Sequence, residues 1–275
     1  MCMSKTRTKQ AQTDQERELS YRILFPHVKP NQIKNGEERY MSTEEDARNT
    51  NRVMAIYIGA HSNQKCASLS IADAFACLGG NTYAFYSMFD QVTAYEIDDT
   101  RRTNLKTNIT AYYNDRPNPV QVYANCLDNE VGITKVFHDV VFLDPPWLNP
   151  QTQTVDNYVF ETVLNLCASI AQKQTASYVF LKLPLQQRHE ESFKYLRRGL
   201  ADNWKDMKVC DLGRAKKSGT VLSYTIVCVC AKNQHTYTTA SEHRLSIDSE
   251  IVLSSLLQQR RQAAEPLLLS GGAYT

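Results

Sequence analysis

From residue 67 onward, short apolar runs alternate with helical stretches, and this alternation constrains the fold more than any other feature of the chain. Ser68–Asp73 is a short apolar run that ends in an acid. Gly79 and Gly80 follow, then a helical stretch from Thr82 to Phe89. A second run, Val92–Glu96, again ends in an acid. The pattern predicts a helix over 99–113, a break at Pro117-Asn118-Pro119, a short strand over 120–123 and a strong strand over 136–143. That last strand carries the polar pair His138-Asp139 near its start. A helix over 156–173, a strand over 177–183, a helix over 188–201 and two strands near 207–212 and 220–230 complete the unit. Strands alternating with helices imply a parallel sheet with helices on both faces. The last two strands are separated only by a short turn from Gly213 to Gly219, so they read as an antiparallel hairpin. In α/β sheets of this kind ligands sit beyond the carboxyl ends of the strands, where the strand order switches. The strand-end residues are therefore the candidates for function.

The 275 residues suffice for one large domain with appendages, and 42% hydrophobic content suffices for its core. Residues 1–18 are polar and expected to be flexible. Residues 19–66 read as a helical lead-in, with two short helices over 19–58. Ser42 starts the second helix, with Glu45 three residues on as in a capping box, and Ala47, Val53, Met54, Ile56 and Tyr57 form its buried side. The main domain is expected over 67–232, followed by a flexible or partly helical tail over 233–275. The net charge of +2 is too small for binding nucleic acid by bulk charge alone. No apolar run approaches the roughly 18 residues of a membrane span, and the first residues lack a secretory core. The expectation is an intracellular protein of nucleus or cytoplasm with no membrane partner. Cys2, Cys66, Cys77, Cys126, Cys167, Cys210, Cys228 and Cys230 form no CxxC pair and read as reduced thiols. His27, His61, His138, His189, His235 and His243 show no metal spacing, so no metal is expected. Trp204 reads as a core residue.

The segment Asp73-Ala-Phe75-Ala-Cys-Leu-Gly79-Gly80-Asn81-Thr82 joins a strand-end acid to a glycine pair, which lets backbone approach a ligand closely. Glu96 ends the next strand, where an acid accepts hydrogen bonds from both hydroxyls of a ribose. The glycines match neither the dinucleotide pattern G-x-G-x-x-G nor the phosphate-cradling G-x-x-x-x-G-K-[ST]. A nucleoside cofactor without phosphate is expected, and S-adenosylmethionine fits. Asp144-Pro145-Pro146-Trp147 follows the apolar run 140–143 and is the most specific signal in the chain. Proline fixes φ and has no N–H. The carboxylate and the neighbouring carbonyls thus become rigid acceptors for an exocyclic amine, with Trp147 placed to stack a base at about 1–3 kcal/mol. The reaction read from these residues is in-line methyl transfer driven by positioning.

These motifs together resemble trimethylguanosine synthase, the RNA cap guanine-N2 methyltransferase family. The resemblance rests on the segments 73–82, Glu96-Ile97-Asp98 and 139–147, and it reaches upstream to 21–25, 33–34 and 39–43. It covers about residues 20–230. It implies a Rossmann-like class I methyltransferase fold with a mostly parallel central sheet, an antiparallel final strand and a small N-terminal helical lead-in. It implies Asp144, Pro145 and Trp147 in the catalytic site, with Trp147 stacking 7-methylguanine. It implies cofactor contacts from Ser42, Thr43, Asp73, Phe75, Gly79, Asn81, Thr82 and Glu96, and an adenine contact from Asn125 or Asp128. The synthase has Ser where Asp144 stands, and glycines where this chain has Leu148-Asn149-Pro150.

The segment 182–217 holds ten Lys/Arg against five acids, a local net of +5. Lys182, near a strand end, is the favoured contact to cap or RNA phosphates, ahead of Arg22 and Lys34. The expected partner is capped RNA bearing 7-methylguanosine, and the expected state is a monomer. The family's large nuclear members carry long extensions not seen here, which points to a protist or a large DNA virus, with the viral factory as the compartment in that case. Two other readings stand beside this one. One is an adenine-N6 or other base amino-methyltransferase, which Asp144 favours. The other is a non-catalytic cap-binding scaffold, which the intact glycine loop and Glu96 oppose.

Overall fold

The computed structural model describes residues 41–62, 64–112, 119–147, 156–184, 194, 198–200, 204, 206–216 and 219–231. The expected flexible N-terminus, the first lead-in helix with Arg22 and Lys34, most of the helix over 188–201 and the tail from 233 lie outside these residues.

Helix α1 runs Glu44–His61, and three acids in its first turn complement the helix dipole. Its cap is Thr43, whose Oγ1 accepts from the Asp46 N–H at 3.2 Å. Ser42 had been expected in that role. A cap bonds an amide two or three residues on, and Thr43 stands one place nearer, so the Ser42 hydroxyl is left for another partner. Ala47, Val53, Met54 and Tyr57 are buried as expected, but Ile56 is 42% exposed and Ile58 is buried instead. The 3.6-residue period explains the exchange, since Ile58 lies one turn beyond Met54 on the same side.

After a 3-10 turn at Cys66–Ser68 come β1 (Ser70–Asp73), α2 (Gly80–Met88), β2 (Gln91–Tyr95), α3 (Asp99–Tyr112) and β3 (Gln121–Tyr123). Then follow β4 (His138–Leu143), α4 (Asn157–Lys173), β5 (Ala176–Pro184), β6 (Asp206–Lys216) and β7 (Gly219–Cys230). The seven strands lie in the order β3-β2-β1-β4-β5-β7-β6. All neighbours from β3 to β5 are parallel, and β7 runs antiparallel to both β5 and β6. This is the Rossmann-like methyltransferase fold. Gly213, expected in the hairpin turn, lies inside β6 at a register shift between Leu212 and Gly213. The strand over 136–143 starts two residues late, and its first rung is polar. Asp139 Oδ2 accepts from the N–H and the hydroxyl of Ser70 at 2.8 and 2.7 Å, and Ser70 Oγ accepts from the Asp139 N–H at 2.9 Å.

Both faces of the sheet are buried, which is why its strands read as nearly continuous apolar runs. Ile71, Val140, Phe142, Tyr178, Phe180, Ile226 and Cys228 share one face and pack under α1 and α2. Ala72, Val141, Leu143, Val179, Leu181, Val227 and Val229 share the other and pack with α4 and the buried Trp204. Tyr224 Oη donates to the Asp46 carbonyl at 2.7 Å and Asn51 Nδ2 to the Ala84 carbonyl at 2.8 Å, so α1 is tied to β7 and to α2. All seven cysteines among the described residues are free thiols. No described helix is long and apolar enough to cross a membrane.

Phe142 is fully buried and meets Phe85 edge-on at 5.0 Å. Phe142→Ala is expected to cost about 3–5 kcal/mol in urea unfolding. A cost below about 1 kcal/mol would mean that the α1/α2 side is loosely packed.

Candidate active site

The strand order reverses between β1 and β4, and the carboxyl ends of β1, β2, β4 and β5 converge there. The segment between β1 and α2 is held by backbone bonds from Ala76 N–H to the Tyr95 carbonyl and from Gly79 N–H to the Ala76 carbonyl, each 2.9 Å. Asn108 Nδ2 of α3 donates to the Leu78 carbonyl at 3.0 Å. Gly79 takes φ of 102°, a left-handed conformation that glycine adopts without steric cost. Gly80 is needed for a close approach, because a Cβ there would lie 2.5 Å from the Ser42 carbonyl oxygen. The two glycines therefore serve turn geometry and the docking of the lead-in.

Three carboxylates end up on this edge. Asp73 is fully buried on the α1/α2 side, and its Oδ2 accepts from Thr82 Oγ1 at 2.7 Å. Burial pushes its carboxyl up to about 7; the Thr82 hydroxyl and the Phe75 N–H pull it down, and the charges of Asp144 and Glu96 push it further up. Glu96, just beyond β2, accepts from the Cys77 N–H on Oε2 and from the Asp98 N–H on Oε1, each at 2.9 Å. Burial raises its carboxyl as well, against those backbone donors. Each carboxylate oxygen has two lone pairs, so Glu96 keeps acceptor capacity for a ligand.

Asp144 follows β4. Side chains alternate along a strand, so Val140, Phe142 and Asp144 fall on the α1/α2 side. There Asp144 Oδ2 accepts from Lys182 Nζ at 2.8 Å, Asn81 Nδ2 at 3.2 Å and Ser42 Oγ at 3.2 Å. Lys182 also donates to Ser42 Oγ, and its Nζ lies 5.0 Å from the ring centroid of Tyr224. The starts of α1 and α2 and the ends of β4 and β5 thus meet in one polar cluster. Lys182, the phosphate contact favoured from sequence, has its ammonium on Asp144, because it shares the α1/α2 face with Phe180.

Trp147 departs furthest from expectation. It is only 4% exposed, lies in the α4-side core and has Phe160 at 6.2 Å. Its indole N–H donates to the Lys182 carbonyl at 2.6 Å, and its own carbonyl accepts from the Asp156 N–H at 2.8 Å. In this geometry the ring is a wall that fastens the Pro-Pro segment to β5, not an open stacking surface. Polarity along the motif explains this. The carboxylate and the indole leave the sheet edge on opposite sides, and only the α4 side offers an apolar bed.

Phe75 is half-buried against the same core. Asn125 and Asp128 both shape the loop after β3. Asn125 Oδ1 accepts from the Leu127 N–H at 2.9 Å, and Asp128 Oδ1 accepts from Glu130 and Val131 N–H at 2.8 and 3.0 Å. Thr43 is spent as the α1 cap, while Ser42 joins the cluster. Three further residues stand at this edge, of which only Ile97 is quoted from sequence, within the Glu96-Ile97-Asp98 segment. Ile97, 74% exposed, follows Glu96, Leu127 is exposed beyond β3, and Tyr224 underlies Lys182. An apolar residue directly after a strand-end acid was a readable signal for Ile97; nothing in sequence signals Tyr224.

The model of one protein family, described as RNA cap guanine-N2 methyltransferase, matches residues 69–222. The chain belongs to the RNA cap guanine-N2 methyltransferase family. The cofactor that goes with this family is S-adenosylmethionine. An uncharacterised protein of Acanthamoeba polyphaga mimivirus is 33% identical over 134 residues, 44% of this chain and 48% of that protein. The chain thus matches about half the length of that relative. Among solved structures, the magnesium protoporphyrin IX methyltransferase of Synechocystis, with bound cofactor, is similar at TM-score 0.47 and 12% identity, covering 82% of this chain and 100% of that one. A putative RNA methyltransferase of Pyrococcus horikoshii is similar at TM-score 0.46 and 11% identity, covering 79% and 97%. The strand order already identifies the fold without them.

The residues fit this family's cofactor. Asp73 Oδ1 and Asn81 Oδ1 are buried acceptors with no hydrogen-bond partner among the described residues, and they suit the ammonium of an amino-acid end. No group of His, Cys, Asp and Glu suited to a metal occurs among the described residues.

An ammonium beside Asp73 favours its ionised form. Cofactor affinity is therefore expected to rise as pH increases through about 7, with proton release on binding. Without ligand the sign is opposite for stability. The folded state holds the Asp73 proton more tightly than the unfolded chain, so this group's contribution is full in acid and is lost as pH rises through about 7. Calorimetry in buffers of different ionisation enthalpy measures the proton release, and an unchanged value in Asp73→Asn would assign it elsewhere.

For Trp147, Trp147→Phe is expected to keep cap-analogue affinity within about 3-fold, while Trp147→Ala loses about 3–5 kcal/mol of stability. A selective loss of cap binding in a stably folded Trp147→Phe variant would restore the stacking role.

Proposed function

We propose that this chain methylates the exocyclic N2 amine of a 7-methylguanosine RNA cap, with capped RNA as its partner. The observation that carries the reading is the family match, which runs through the glycine loop, Glu96 and the Asp144-Pro145-Pro146-Trp147 segment. Several features of the site support it. Asp73 and Asn81 would hold the ammonium of the cofactor. Glu96 would take ribose hydroxyls, and the exposed Ile97 and Leu127 offer apolar surface to an adenine. When bound, the cofactor would supply an electrophilic methyl group, and Asp144 with the adjacent carbonyls would hold the amine that receives it.

The chain's own contribution is acceptors and orientation. Pro145 and Pro146 bring no N–H to the strand end, so Asp144 and the adjacent carbonyls present acceptors only. An amine whose two N–H groups are both accepted has its lone pair aimed along one direction. Positioning of this kind supplies much of the barrier reduction in bimolecular transfer, roughly 7–11 kcal/mol in well-oriented cases.

The test uses radiolabelled S-adenosylmethionine with three acceptors: a 7-methylguanine cap analogue, an unmethylated cap analogue and an adenine-containing oligonucleotide. Label in the first alone is the expected outcome. Label in the oligonucleotide alone would select adenine amino-methylation, the reading that a carboxylate at 144 favours. Cap binding without any label would make the chain a scaffold.

A further inference from the structure

Lys182 stands in the polar cluster at the end of β5. Its side chain is 12% exposed, and it donates to Asp144 Oδ2 and Ser42 Oγ and lies over the Tyr224 ring. An ammonium has three N–H donors. Two are taken by Asp144 and Ser42, and the ring faces the charge. On the other side of the pair, Asp144 Oδ2 receives all three donors, from Lys182, Asn81 and Ser42. Oδ1 receives none among the described residues. The carboxylate is therefore used unequally: one oxygen holds three donors, and the other holds none among the described residues.

We propose that Lys182 is a positioning residue for the methyl-accepting amine. By saturating Oδ2 and fixing the carboxylate plane, it leaves Oδ1 as the acceptor for an N–H of that amine. It also balances the Asp144 charge beside Asp73 on the neighbouring strand, where the two carboxylates feel each other. Lys182 itself does not touch the acceptor. Ser42 and Asn81 complete the clamp, so the lead-in reaches the amine site through one hydroxyl. The inference rests on the proposed amine transfer.

The discriminating measurement is equilibrium binding of 7-methylguanosine and 7-methylinosine cap analogues, which differ in the exocyclic amine. Wild type is expected to prefer the amine-bearing base by about ten-fold, the size of one hydrogen bond to a charged group. Lys182→Met is expected to lose that preference with its cofactor affinity little changed, while its melting temperature falls because Asp144 loses its counterion. Its kcat falls by about 10- to 100-fold while KM for cofactor stays constant. Lys182→Arg recovers most of both, and Lys182→Met adds nothing in an Asp144→Asn background. If Lys182→Met does not fold, Lys182→Gln is read the same way. An unchanged preference and kcat in a folded neutral variant overturns the inference, even where wild type labels the cap analogue. No label on the cap analogue by wild type overturns the cap reading itself.

Discussion

Three carboxylates brought to one edge of a buried sheet set the main constraint in this molecule. Burying a charge without partners is costly, and each of the three is compensated differently. Asp73 has the Thr82 hydroxyl and a carboxyl raised to about 7. Glu96 has two backbone N–H groups, from Cys77 and Asp98. Asp144 has a full ion pair with Lys182 and two neutral donors. Removing a partner from such a group usually leaves a larger penalty than the bond itself is worth. The glycine loop, the first turn of α2 and the start of α1 are therefore fixed by the need to supply these donors.

This constraint makes the lead-in part of the site. Helix α1 packs apolar residues against β4, β5 and β7 and is pinned by Tyr224 and Asn51. The segment just before it approaches α2 so closely that a Cβ on Gly80 would lie 2.5 Å from the Ser42 carbonyl oxygen. Ser42 is thereby delivered to Asp144 and Lys182. One hydroxyl links a segment outside the parallel sheet to the centre of the proposed chemistry.

Much of the fold was legible because period-2 and period-3.6 patterns are local. Every described strand and helix was anticipated within about three residues at most boundaries, and the antiparallel final strand followed from a short connection. The errors were at places where a choice between neighbours is made by packing. Thr43 displaced Ser42 as the cap, Ile58 displaced Ile56 in the core, and Gly213 lies at a register shift inside β6 instead of in a turn. In the site, Asp73, Asn81, Thr82 and Asp144 were legible as strand-end or loop residues. The partners of Lys182 and the burial of Trp147 were not, because neither polarity nor aromaticity states which face of the sheet a side chain will leave by.

Sequence alone determined the alternating architecture, the position of each acid at a strand end, the glycine loop and the family, since all of these are properties of residues near one another in the chain. Tertiary structure decided the pairings: Lys182 with Asp144 across 38 residues, Ser42 with both across more than 100, and the indole of Trp147 with the β5 backbone. Such contacts depend on which strand ends the sheet order makes neighbours and on which face each residue points to. Those are set only once the strands have chosen their partners.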